Sequence, residues 1–490
     1  MQVEPEGPGG ADGAPAASAA PTDRVASPAP PASRRRTLVA VAPWVGLGVA
    51  LALIALAMIV PPLLGQSVHI RSFPPLHAEW MPRLGPGTLP AVLLAVAASV
   101  WGVPLARRLR WGALLGVVYA AAVAWMVALA TVDGWDGIGQ VLEHKYEYLG
   151  TAREVTDFGA TLRDYIAHIP LDSEDNWPVH IAGHPPGALL FFVVLVRLGL
   201  GGGLAAGFVV LLVGATAALA VLALLRRFGA EDGARRAAPF LAMGPAAIWF
   251  AVSADGMFAA VAAWGLCALG FAATARRRAE GSGAGPAGVR GTGAMVAWSV
   301  LAGLLLGTCV MMSYGLPILG ILALAVLALG RDWRPLPIAA VAALAVVLAF
   351  AAFGFAWWEA FPVLVERYWD GVASRRQFTY WVWGNLAALA ISAGPLVGAA
   401  VATAGARAVD WRAEARPERI VIVLALAAAA TIVAADLSQM SKAEVERIWL
   451  PFVPWLLVGT ALLTERWRRA GFAGQLGFAL VVQHLLVTSW

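Results

Sequence analysis

Long apolar runs alternate with short polar breaks along almost the whole chain. The runs lie near residues 38–60, 89–105, 111–132, 204–225, 237–254, 256–274, 295–312, 316–330, 335–356, 384–405, 420–435, 448–464 and 472–488. A helix of about 20 apolar residues crosses the ~30 Å of bilayer hydrocarbon. Only helices satisfy their own backbone hydrogen bonds there, so the pattern predicts an all-α polytopic membrane protein with about 13 transmembrane helices. Residues 1–33, rich in Pro, Ala, Gly and Ser, read as a disordered tail that extends to residue 37. Residues 38–110 read as an accessory pair of helices, and 111–490 as the main membrane domain. A further run, 187–200, is apolar but short, carries Arg197 and ends in glycines; it reads as a re-entrant or half-crossing helix.

The breaks carry the sidedness. Arginines gather at 34–36, 107–110, 226–236, 276–278, 331–334, 407–419 and 466–469, and cytoplasmic loops collect Lys and Arg. With all of these inside, the N-terminus is cytoplasmic. On that path 24 of the 35 basic residues face the cytoplasm and 18 of the 30 acidic residues face out. The chain is 60% hydrophobic and 13% charged, which excludes a soluble domain of 490 residues. The net charge of +5 is spread over these breaks and does not form a nucleic-acid surface. The two cysteines, Cys267 and Cys309, lie in apolar runs, which excludes a disulfide framework.

Polar chemistry concentrates on the outer face, above all in loop 133–186, where ten acidic residues stand against Lys145, Arg153 and Arg163. Ionisable groups beside a bilayer mark functional sites. Val155, Phe158, Leu162, Tyr165, Ile166 and Ile169 recur at helical spacing, which predicts an amphipathic helix on the membrane surface or against neighbouring loops. Leu142, Tyr146 and Leu149 predict a shorter one. The loop closes on HIAGHPPG at 180–187, where Pro185 and Pro186 stop any incoming helix and fix His184 at the membrane boundary.

This arrangement resembles the C-type superfamily of integral membrane glycosyltransferases, which includes protein O-mannosyltransferases and the aminoarabinose transferases that modify lipid A. The resemblance covers roughly residues 111–464. It rests on the long acidic loop, the His-Pro-Pro helix entry and WFAVSADGMFA at 249–259 with Asp255. It rests also on the Gly-rich run 301–315 and on KAEVERIWLPFVP at 442–454. It departs from the family in lacking an adjacent acidic pair at the loop start, and in the two spans that precede the loop.

The resemblance implies an enzyme that moves a sugar from a polyprenyl-phosphate donor to an acceptor hydroxyl with inversion, the acceptor being a lipid, a glycan or a protein. The active face is then extracytoplasmic and the membrane the plasma membrane. A carboxylate takes the acceptor proton, and the candidates are Asp136, Asp133, Glu143 and Glu147. Cations and hydrogen-bond donors meet the departing phosphate. For the phosphate the candidates are His184, Arg367, Arg375, Arg376, Lys442 and Arg447, and His180, Asp255, Tyr314 and Glu446 complete the expected substrate-binding set. No cofactor is required, although His180 and His184, four apart among carboxylates, leave a divalent metal open. The aromatic loop 357–383 serves interfacial anchoring or sugar stacking. The rival is a transporter or lipid flippase, which places its principal cavity at mid-membrane depth beside broken helices.

Overall fold

The structure is a computed structural model and describes residues 32–281 and 287–488. Of the expected tail, residues 1–31 lie outside the described residues, and 32–37 already belong to the first helix, Ala32–Leu64. The described chain is almost wholly helical. Its only strands, Ala78–Trp80 and Leu486–Thr488, pair antiparallel with Glu79 opposite Val487.

Eight helices among the described residues are long and apolar enough to cross a membrane, or nine if one bent pair counts as a single span. Thirteen were expected, and four of the expected runs fall short. Run 237–254 is broken. Helix Glu231–Ala242 stops before Gly244–Pro245, and only the single turn Ala247–Phe250 follows. Run 316–330 yields an apolar helix of 15 residues. Run 448–464 splits at its prolines into short turns, and run 472–488 belongs to the more polar helix Glu465–Leu485, which ends in the second strand. Run 384–405 is the bent pair, helices Phe378–Ser392 and Leu396–Ala408 meeting at 107°. Gly394 at that corner has φ +82, open to glycine but costly for other residues, and Pro395 lacks the N–H a continuing helix needs.

Two of these breaks have a side chain that completes them. Gln475 donates to the carbonyl of Ala393 (2.9 Å) and accepts from the amide of Leu396 (3.4 Å). Trp125 donates from Nε1 to the carbonyl of Gly244 (3.0 Å). Freed backbone groups inside a bilayer need such partners.

The arginine clusters meet at one end of the bundle. Arg107 pairs with Glu465 (2.5 Å), Arg235 donates to the carbonyl of Leu109 (2.8 Å) and Arg277 to that of Arg331 (2.8 Å). Arg35 and Arg407 share Glu414. The long loop 133–186 lies at the opposite end. Its expected amphipathic stripe is two pieces, Phe158–Asp164 and Ile166–His168, and Val155, Leu162, Tyr165 and Ile169 are buried against protein. The first helix crosses the bent pair at glycines: a Cβ on Gly46 would stand 2.1 Å from the carbonyl oxygen of Gly398. Small residues allow such close approach.

Helix Pro186–Arg197 does not cross. Its 12 residues span about 18 Å at 1.5 Å each. Its N-terminus follows the long loop, and its C-terminus returns to it. Arg197 donates to the carbonyls of Val155 (3.2 Å) and Thr156 (2.8 Å), and Arg153 donates to that of Gly201 (2.7 Å). The sidedness read from the arginines therefore carries past this segment without inversion. Single cysteines at the exposed positions Asn176 and Gly202 are expected to react with a membrane-impermeant maleimide from the same side. Labelling of the two from opposite sides contradicts this topology.

Candidate active site

The HIAGHPPG turn is built from beneath by two buried tyrosines. Tyr165 donates to the carbonyls of Ile181 (2.9 Å) and His184 (3.1 Å), and Tyr148 to that of His180 (3.3 Å) while stacking on Phe192. His184 donates from Nδ1 to the carbonyl of His180 (2.7 Å). Pro186 opens the next helix, and Gly187 lets that helix sit against Met311, where a Cβ would stand 2.4 Å from the carbonyl oxygen.

The turn delivers His180 into a chain of buried charges. Its Nδ1 lies 2.8 Å from the carboxylate of Glu147, and its Nε2 lies 3.2 Å from Nη2 of Arg447. Nη1 of Arg447 donates to Asp255 (2.7 Å), and Glu444 stands 3.6 Å from Nη2. Glu147, His180, Asp255 and Arg447 are all buried. They come from four separate segments: the long loop, its closing turn, the start of helix Ala254–Gly281, and the turn Val445–Ile448. Asp255 also gains from its place in the first turn of its helix, where the dipole favours negative charge.

The environment sets the protonation states. Burial opposes the charge of Glu147, but His180 and Arg447 outweigh it, and the carboxyl is held below its ordinary value. Burial likewise opposes the charge of Arg447, and Asp255 and Glu147 raise its pKa despite it. His184 keeps some accessible surface on the cavity side, yet protein encloses it elsewhere. Burial pushes it down to about 4, against the pull of Asp255. It is therefore a neutral donor near pH 7.

Beside this chain opens a cavity of about 510 Å³ at the end of the bundle away from the arginine clusters. Leu316, Phe361, Leu364 and Phe452 give it apolar walls. His180, His184, Tyr314, Arg367, Arg376, Lys442, Glu444 and Arg447 bring polar groups to it. Helix Trp357–Asp370 roofs it, with Phe361, Leu364, Arg367 and Tyr368 turned inward and Trp358 and Trp369 exposed. Tyr314 packs against Trp357 and Phe361.

Seven of the ten residues expected to bind substrate thus line one cavity, and Asp255 stands directly behind it. Arg375 does not join them; it is exposed outside the cavity. Glu446 does not either, being buried to 0% exposure beneath the turn. Three of the four acids expected as the base also lie elsewhere. Asp133 is engaged by Arg83 and by Gln483 (3.2 Å). Asp136 is exposed at the start of a one-turn helix. Glu143 forms a fork with Arg153 (2.5 and 2.8 Å). Glu147 alone of the four meets the charge chain.

Proximity to the span end in sequence favoured Asp133 and Asp136, but the loop folds back so that its later acid reaches the site. Sequence reading passed over Glu444, although it lies two residues before Glu446 in the same motif. It also passed over Asn385, a polar residue inside an apolar run. Asn385 donates to Asp436 and to the carbonyl of Ser441 (2.8 Å each) and so shapes the late loop.

His180 and His184 do not gather with a third ligand: among the described residues no three His, Cys, Asp or Glu side chains are grouped to hold a metal. The sequence matches no protein family and no curated protein. Among solved structures, the fold is similar to that of the Archaeoglobus fulgidus oligosaccharyltransferase in its crystal structure with zinc and sulfate. The TM-score is 0.43 and the identity 14%, over 76% of this chain and 52% of that one. The chain therefore spans about half the length of that protein.

Two outcomes follow from the charge chain. Arg447→Met leaves Asp255 buried without its partner, a loss of about 3–5 kcal/mol. Its unfolding temperature in detergent is expected to fall, and Arg447→Met/Asp255→Asn to recover part of the loss; a parent-like single variant contradicts the buried pair. The second outcome concerns pH. His184 stays neutral in the fold down to about 4, whereas the unfolded chain takes up the proton near 6.5. Stability is then present above pH 6.5 and falls as pH drops from 6.5 towards 4. Glu147, whose folded value is lowered, adds its own loss only below 4.5. His184→Gln is expected to flatten the slope between pH 6.5 and 4 by up to about 3 kcal/mol, read by denaturant unfolding across that range. An unchanged slope contradicts the assignment.

Proposed function

We propose that this protein is a membrane glycosyltransferase that moves a sugar from a polyprenyl-phosphate donor to an acceptor hydroxyl with inversion. The observation that carries the reading is the cavity itself. Apolar walls fit an isoprenoid and a sugar face, Lys442 fits a phosphate, and the charges of Arg367, Arg376 and Arg447 surround that place.

In this reading Glu147 holds the Nδ1 proton of His180 and leaves the Nε2 lone pair towards the cavity. That lone pair faces Arg447 in the resting structure, and the acceptor hydroxyl takes its place. The acceptor proton passes to Nε2 as the oxygen attacks the anomeric carbon from the face opposite the phosphate. The bond from that carbon to the phosphate oxygen breaks, and the lipid phosphate leaves with the electron pair. Lys442 and the guanidinium groups meet its charge. Glu147 stabilises the imidazolium until the proton returns to solvent. Lipid, glycan and protein acceptors all supply such a hydroxyl. The positive-inside pattern supports a cavity that opens on the extracytoplasmic face, and the proposal takes the membrane to be the plasma membrane.

The rival, a transporter or flippase, draws on the broken spans. The breaks at Gly244–Pro245 and near Ala393 border one interior cavity, midway along helices Gly203–Arg227 and Glu465–Leu485. It holds only about 40 Å³, room for one or a few waters and not for a lipid-linked sugar. The cavity at the bundle end is the larger one, which favours the enzyme.

Sugar transfer from polyprenyl-phosphate donors in membranes carrying the protein tests the reading. Glu147→Gln and His180→Asn are expected to lower kcat roughly 100- to 10,000-fold, with Asp136→Asn close to the parent. Loss of transfer in Asp136→Asn with Glu147→Gln unaffected overturns the base, and no transfer by the parent from any such donor overturns the function.

A further inference from the structure

The accessory helices Ala32–Leu64 and Thr88–Arg108 are joined by residues 65–87, and this segment is docked against Arg376, behind the lining of the cavity. Its carbonyl at His69 accepts from both Nε and Nη2 of Arg376 (3.3 Å each). Nη1 of the same guanidinium donates to the carbonyl of Lys442 (2.7 Å). Arg376 is buried, and three of its five N–H donors are committed to backbone. That is an unusual use for a residue on the wall of a phosphate cavity, unless the backbone it grips is what matters.

Both gripped carbonyls adjoin left-handed backbone at residues other than glycine: His69 has φ +53, and Ala443 and Glu444 after Lys442 have φ +70 and +62. Such conformations persist where surrounding contacts over-determine them, and they cluster at functional sites. The contacts are present on each side. Val68 and Ile70 pack on Tyr380, Trp381 and Ala443, and Tyr380 donates to the carbonyl of Ala57 in the first helix (2.9 Å). At its far end the segment is fixed by the strand Ala78–Trp80 paired to Leu486–Thr488. The side chain so presented is Lys442, whose ammonium lies 4.4 Å from the ring centre of Trp369, a contact that leaves its N–H donors to a ligand.

We propose that segment 65–87 is a working buttress behind the site, and that Arg376 is the positioning residue that joins it to the turn at 439–444 and so presents Lys442 to the phosphate. The proposal rests on the functional reading above, which takes the ligand to be an isoprenyl phosphate.

Equilibrium binding of farnesyl phosphate to the full chain in detergent tests it. The parent binds, and Lys442→Ala weakens binding at least tenfold. Arg376→Lys keeps the charge but loses the fork, and is expected to weaken binding roughly tenfold. Ile70→Ser loosens the segment from Trp381 while leaving Arg376 and Lys442 in place, and is expected to weaken it likewise. Parent-like affinity in Arg376→Lys or in Ile70→Ser overturns the proposal; should Arg376→Lys not fold, Ile70→Ser decides alone. A parent that binds no farnesyl phosphate overturns the functional reading instead.

Discussion

A guanidinium group out of reach of bulk water must be surrounded by its own counter-charges, and around Arg447 this requirement organises the whole cavity end of the molecule. Asp255 faces one nitrogen, and His180, backed by Glu147, faces the other. Neither partner is local in sequence. To bring them together, the long loop must fold back over the helix ends, the HIAGHPPG turn must be supported by Tyr148 and Tyr165, and the late turn must dip below the cavity floor. A buried charge network is a weak source of net stability, because desolvation offsets the attraction. Its effect is to make one arrangement of these segments far better than the alternatives.

The rest of the bundle complements this. The breaks at Gly244–Pro245 and Gly394–Pro395 are each closed by one side chain from a neighbouring helix, Trp125 or Gln475. The breaks allow helices to change direction and seat the elements that follow them: Asp255 comes a few residues after one. The connecting segment of the accessory hairpin backs the cavity lining, held between Arg376 and the strand Leu486–Thr488.

Much of the fold was legible in the sequence. The apolar runs marked every membrane-length helix among the described residues, and the arginine clusters marked the end where they gather. Length misled where composition stayed apolar across a Gly-Pro pair, since hydropathy does not register a missing N–H or a left-handed residue. The polar lining of the cavity was largely legible because its members sit at helix entries and loop motifs, His180 and His184 before Pro185 and Lys442 and Arg447 in KAEVER. Which of the four acids stands beside the cavity was not, because nearness to a span end says nothing about which way a 54-residue loop folds. Arg83, on another loop, engages Asp133, and Arg153 engages Glu143, both partners that sequence alone does not reveal. Glu444 escaped notice because its role depends on a left-handed backbone that no motif announces.

The most direct measurement is an electron cryomicroscopy map of the full chain in lipid nanodiscs with farnesyl phosphate bound. Phosphate density within hydrogen-bonding reach of Lys442 and beside His180, with the isoprenoid along Phe361 and Phe452, is the predicted result. Density at Asp133 and Asp136, or in the interior space between the two broken spans, would contradict it.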